Sequence, residues 1–169
     1  MNVAHLHLIV NHLPIVGFLI AFLTFLVGML LKNFTVKRTA LCICILCSTS
    51  VFLANASGEE AEEQVEEITG VDHRTIHEHE EAAEPLMPVA ILTILASAVS
   101  LWSDLKQKSF TTKVQLLTFL LMLVGLIIAA RAGYTGGMIR HPEAYNTVQT
   151  EHHEQNEQHE GPAKENHND

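Results

Sequence analysis

Charge is missing from four long stretches of this 169-residue chain. No Asp, Glu, Lys or Arg occurs in residues 14–31, 39–58, 86–103 or 114–130. A membrane-crossing helix needs about 20 mostly apolar residues, and a soluble chain of this length has no core large enough to bury four such runs. Charged residues make up only 17% of the chain, against roughly 25% in soluble proteins. The pattern predicts an all-α, four-helix transmembrane bundle. Its spans fall at about 14–31, 39–58, 86–103 and 114–133, within one membrane domain of residues 1–143.

Other scarcities narrow the function. Ten basic residues face nineteen acids, for a net charge of −9, which excludes a phosphate-binding nucleic-acid surface. The three cysteines, Cys42, Cys44 and Cys47, are odd in number and lie inside the second span. They do not make a disulfide framework and read as small packing residues. No nucleophile–base signature, phosphate loop or zincin motif is present, so no catalysis is assigned. The mid-span charges that line ion pumps and proton channels are also missing. No basic residue precedes the first apolar run and no small-residue cleavage site follows it, so this run reads as a retained span rather than a signal peptide.

The charges that do occur are sorted by side. The two short connections 32–38 and 104–113 hold six basic residues and one acid, Asp104. The remaining four basic residues, eighteen acids and all eleven histidines lie on the other side. Lysine and arginine mark the cytoplasmic loops. Both termini, and the loop between the second and third spans, are therefore expected outside a bacterial inner membrane.

Histidine is the commonest metal ligand and titrates near neutral pH, so its one-sided placement points to a site for metal, haem or protons. On a helix His5 and His12 share a face, about 10.5 Å apart along the axis, while His7 and Asn11 share another. Pro14 either starts the first long helix or kinks it. The second span runs on into an acidic segment with an apolar stripe at Ala61, Val65 and Ile68, with Gly70 as its stop. Asp72 fits a helix N-cap, Thr75 with Glu78 a capping box, and His73, His77 and Glu81 fall on one face. In the third span Ala90, Ala96, Ser97, Ala98 and Ser100 allow close helix contact, and in the fourth Gly125, Ala129 and Gly133 form a small-residue stripe. Residues 144–169 have almost no apolar side chain and read as a disordered His/Glu-rich tail.

Bundles build cofactor sites from facing helices, and two cofactor types fit the histidine side. Haem b would take two axial histidines and cations near its propionates. His12 with His79 is the first pair, His5 and His141 the reserves, and Arg131 and Arg140 the propionate partners. A bare transition ion would take mixed imidazoles and carboxylates, drawn from His73, His77 and Glu81 with Glu62 or Glu63. The alternative is a non-catalytic subunit whose acidic face, including Glu62, Glu63 and Glu66, steers a basic periplasmic electron carrier or membrane complex.

Four motifs occur together: HLHLIVNHLP at 5–14, SGEEAEEQVE at 57–66, HEEAAEP at 79–85 and GGMIRHPE at 136–143. In combination they resemble a family of small bacterial four-helix membrane proteins of uncharacterised function. More loosely, the His–x–Pro entry to the first span is similar to four-helix proteins suspected to be related to di-haem membrane cytochromes. The resemblance directs attention to His5, His7, Asn11, His12, Glu59, Glu62, Glu63, His79, Glu80, Arg140, His141 and Glu143. It implies a site made by His12, His79 and the second-span carboxylates.

Overall fold

The computed structural model describes residues 3–66 and 73–141; the side chains of residues 3 and 4, of Glu59, of residues 62–66 and of Arg140 lie outside that description. Among the described residues six helices follow in order: α1 (Val3–Val10), α2 (His12–Leu30), α3 (Phe34–Glu66), α4 (His73–Ala83), α5 (Leu86–Leu105) and α6 (Thr111–Arg140). The all-α architecture is as expected. Four helical stretches are long and apolar enough to cross a membrane, which makes this a multi-pass membrane protein. Gly70, Asp72 and the segment 144–169 fall outside the described residues.

The helix boundaries follow from local chemistry. Pro14 sits in the first turn of α2, where its missing N–H is tolerated. Only Asn11 interrupts the path from α1 to α2, and its backbone N–H still reaches the His7 carbonyl at 2.9 Å. The chain thus passes almost continuously through the proline. At the lysine end both turns use a non-glycine residue with positive φ, Lys32 at 52° and Gln107 at 50°. Asn33 then starts α3, its Oδ1 accepting from the N–H groups of Thr35 and Val36 at 2.9 and 3.2 Å. α3 has 33 residues, about 50 Å at 1.5 Å each. It therefore outruns a hydrocarbon core of about 30 Å, as the acidic extension implies. The capping box expected at Thr75 and Glu78 is not formed. Thr75 lies inside α4, and the Glu78 carboxylate instead accepts from Arg74 Nε at 3.0 Å.

The long helices make a four-membered ring in which α2 meets α3 and α6, and α5 meets α3 and α6. The short α1 lies on α3, and the short α4 lies on α6. The chain is thus two three-helix units in succession, each short–long–long, with matching contacts and a positive-φ residue at the matching turn.

Lipid cannot drive helices together hydrophobically, so close contact between small residues must do so. A Cβ on Gly17 would lie 2.4 Å from Cys47 Cβ, and one on Gly125 2.6 Å from the buried Phe18 ring. Phe22 stacks on Phe119 with centroids 4.9 Å apart. Of the small residues expected to pack in α5, Ala90, Ala96, Ser97 and Ser100 are buried, but Ala98 is exposed. Leucines cover the outside; Leu46 is 72% exposed, an exposure suited to lipid. Interior hydroxyls bond carbonyls one turn back, as Thr93 does to Val89 at 2.7 Å. The Ser100 and Thr118 hydroxyls join α5 to α6 at 2.7 Å. Cys44 is buried in the core and Cys47 fills the Gly17 notch, consistent with packing roles.

At the lysine end a polar network closes the bundle. Arg38 Nε donates to Asp104 at 2.6 Å, Lys37 Nζ to Gln115 Oε1 at 2.8 Å, and Gln115 Nε2 to Asp104 at 3.4 Å.

Gly125→Ala should destabilise the bundle by about 1–3 kcal/mol through overpacking, read by unfolding in mixed detergent. In a Phe18→Leu background the loss should be smaller, because the ring atoms it meets are gone. Strict additivity of the two changes would contradict this packing.

Candidate functional site

The opposite end of the bundle is hollow. α1 and α4 lie over the ends of α3 and α6 and leave a cavity of about 1010 Å³ between them. Its deeper wall is apolar, with Ile15, Val51, Leu86, Met87 and Ala129, while its upper wall carries His5, His7, Asn11, His12, His77, His79 and His141. Pockets for small ligands and cofactors span about 300–1,000 Å³, so this one is cofactor-sized.

Two histidines are held differently from the rest. His7, on α1, is half-buried, and its Nδ1 lies 3.0 Å from the Ala54 carbonyl and 3.2 Å from Ser57 Oγ on α3. A carbonyl only accepts, and Ser57 spends its own proton on the Leu53 carbonyl at 2.8 Å. Nδ1 must therefore be the protonated nitrogen of the neutral ring. His79, on α4, is also half-buried, with Nδ1 3.1 Å from Thr135 Oγ1 on α6. When Thr135 donates to the Ala132 carbonyl at 3.1 Å, its oxygen accepts from His79 Nδ1, and His79 then takes the same tautomer. In both rings Nε2 keeps its lone pair, and no hydrogen bond occupies it among the described residues. Both rings line the same cavity.

The seats of these rings match. Ser57 is followed by Gly58 and Thr135 by Gly136. A Cβ at Gly58 would lie 3.3 Å from His7 Cε1, and one at Gly136 3.1 Å from His79 Cε1. Each hydroxyl orients an imidazole and each glycine lets that ring lie against the helix backbone. The repeated three-helix unit thus presents one histidine from each half to a shared space.

The other predicted residues are placed less tightly. His12 is exposed, its Nδ1 donating to the Leu8 carbonyl at 2.6 Å, four residues back along the chain at the end of α1. His5 and His141 are exposed on the cavity wall. His77 lies 3.6 Å from Glu80 and 3.4 Å from Glu81 along one face of α4; all three reach the cavity, where Glu84 joins them. His79 faces α6 instead, so His77 and His79 do different things on the same helix. Arg131 is exposed and does not line the cavity, so it is not brought to the place expected of a propionate partner. The side chains of Arg140, Glu59, Glu62 and Glu63, and all of Glu143, lie outside the described residues.

No protein-family model, curated protein or solved structure matches the chain. The chemistry of the cavity therefore rests on its own atoms. Among the described residues no three His, Cys, Asp or Glu side chains are grouped to hold an ion. Asn11 adds a polar group: its Oδ1 is buried without a hydrogen-bond partner among the described residues. Such an unmet acceptor costs about 1–3 kcal/mol, which a donor on a ligand or a water would recover.

Sequence reasoning passed over Ala54, Ser57, Gly58, Thr135 and Gly136. The usable signal was the hydroxyl–glycine pair recurring near the end of each half.

In ¹⁵N-labelled protein near neutral pH, His7 and His79 should both show protonated Nδ1 and unprotonated Nε2. The reverse tautomer in either ring would contradict the assignment.

Proposed function

We propose that this protein binds a metal-centred cofactor at the histidine-bearing end of its bundle, with Nε2 of His7 and His79 as the protein ligands. The observation that carries the reading is the matched pair of seats. Metal-ligating histidines almost always give their other ring N–H to a carboxylate, a backbone carbonyl or water; His7 Nδ1 meets the Ala54 carbonyl and His79 Nδ1 the Thr135 hydroxyl, and both rings share a cofactor-sized cavity.

Ligand count favours haem over a bare ion. A bare transition ion takes most of its ligands from the protein, whereas haem supplies four nitrogens itself and needs at most two axial groups. Two well-held imidazoles over an apolar wall suit the second case. His7 replaces His12 as the preferred partner of His79, because His7 is half-buried and held on the packed helix α3, while His12 is exposed and bonds only the carbonyl four residues before it. His5, His12 and His141 remain at the rim with Glu80, Glu81 and Glu84. On this reading the histidine end and both termini face outside a bacterial inner membrane, which the lysine and arginine bias of the two short connections supports. The role is electron transfer or metal handling. The family suggested by the four motifs is part of the same proposal, since His7, Ser57, Gly58, His79 and Gly136 all fall within those motifs.

The test is the visible spectrum of protein purified without an affinity His-tag from haem-supplemented cells. The expected result is a low-spin, bis-imidazole haem spectrum. His7→Ala and His79→Ala should each lower haem retention at least about tenfold, a loss of roughly 1.4 kcal/mol or more in binding; His12→Ala and His77→Ala should leave it near normal. Absence of haem from the parent protein, or full retention in both ligand variants, would overturn the reading.

A further inference from the structure

The two three-helix units differ in how closely their long helices meet. In the first, Gly17 and Gly28 let α3 close on α2, with Cys47 and Lys37 lying against the glycines. α5 contains no glycine. Between α5 and α6 an apolar groove of about 380 Å³ remains, lined by Leu92, Leu95, Val99, Val114, Leu117 and Leu121. The α6 residues of this groove lie about 5–15 Å from the start of their helix at 1.5 Å per residue. That depth corresponds to one leaflet of a hydrocarbon core about 30 Å thick.

Both walls of the groove end in lysine. On α5 the positions Leu92, Val99 and Lys106 recur every seven residues, and on α6 Lys113, Leu117 and Leu121 recur every four. Each spacing keeps its side chains on one helix face. Lys108 lies in the turn between the walls, its Nζ 5.6 Å over the Trp102 ring. All three lysines are exposed. The one acid at this end, Asp104, is taken by Arg38, and no ion pair occupies the three lysines among the described residues. Two of the three cations of the first unit are spent within the bundle, Arg38 on Asp104 and Lys37 on Gln115, which leaves Lys32 alone exposed in its turn.

We propose that the α5–α6 groove and its lysines bind an anionic phospholipid from the leaflet on the lysine side. One acyl chain lies in the groove, and the headgroup phosphate sits among Lys106, Lys108 and Lys113. Any lipid tail satisfies the apolar walls; the uncompensated lysines select for negative charge. This site lies at the opposite end of the bundle from the histidine cavity and stands or falls independently of it.

Native mass spectrometry of the full-length protein in detergent tests the site, with phosphatidylglycerol and phosphatidylcholine of identical chains in equal amounts. Phosphatidylglycerol should be retained in preference. Lys106→Gln/Lys108→Gln/Lys113→Gln should lower its affinity on the order of a hundredfold and leave phosphatidylcholine unchanged. Leu117→Trp fills the lipid-facing groove without touching the lysines, and should weaken both lipids. Equal retention of the two lipids by the parent protein, or unchanged phosphatidylglycerol retention in the lysine variant, overturns the headgroup site. Undiminished retention in Leu117→Trp overturns the groove. Displacement by glycerol phosphate at concentrations similar to the lipid would show that phosphate alone is bound, and would overturn a lipid site.

Discussion

Expulsion of charge from the bilayer governs the rest of this structure. A helix in hydrocarbon satisfies its own backbone but tolerates few ionised side chains, so the chemistry of the chain is driven to the two ends of four apolar helices. At the lysine end the few polar groups are used to join helices: Arg38 reaches Asp104 at 2.6 Å and Lys37 reaches Gln115 at 2.8 Å. At the histidine end no comparable network closes the ring among the described residues. The chain instead lays a short helix over each side and leaves the space between them open.

That space is shared by two repeats. Units repeated in parallel are related about an axis along the membrane normal, and membrane proteins place ligand sites where such units meet. Each unit supplies a half-buried imidazole from its short helix, and a hydroxyl and a glycine from its last long helix. Nδ1 is tied to a protein oxygen in both cases, so the orientation of Nε2 is set before any ligand arrives. Preorganisation of this kind lowers the ordering cost of binding. It also separates His7 and His79 from His12, which bonds the carbonyl four residues before it, and from His77, which lies against carboxylates of its own helix.

Much of the fold was legible because the bilayer signal is one-dimensional. The charge-free runs located all four spans, and the lysine bias distinguished the two ends of the bundle. The helix boundaries were less visible. α2 begins before Pro14 because a proline in the first turn forfeits a hydrogen bond that the turn does not need. Thr75 and Glu78 satisfied the spacing of a capping box, yet Glu78 found Arg74 one turn away. The site was legible only as a region. His7 and His12 look alike in sequence, and what separates them is the helix behind each ring. That depends on α1 lying on α3, a contact between residues about fifty positions apart. The Ser57–Gly58 and Thr135–Gly136 pairs carried the information, but their meaning emerges only when the two halves of the chain are compared.

The most direct test of the central claim, that His7 and His79 together hold a metal-centred cofactor, is elemental analysis of detergent-purified protein ending after Glu143 and bearing no affinity His-tag. Removing residues 144–169 takes away four histidines, His152, His153, His159 and His167, that would otherwise bind metal adventitiously. The account predicts close to one equivalent of iron per chain, lost when His7 and His79 are both replaced by alanine. Metal at background level in protein from haem-replete cells, or iron unchanged in the double variant, would contradict it.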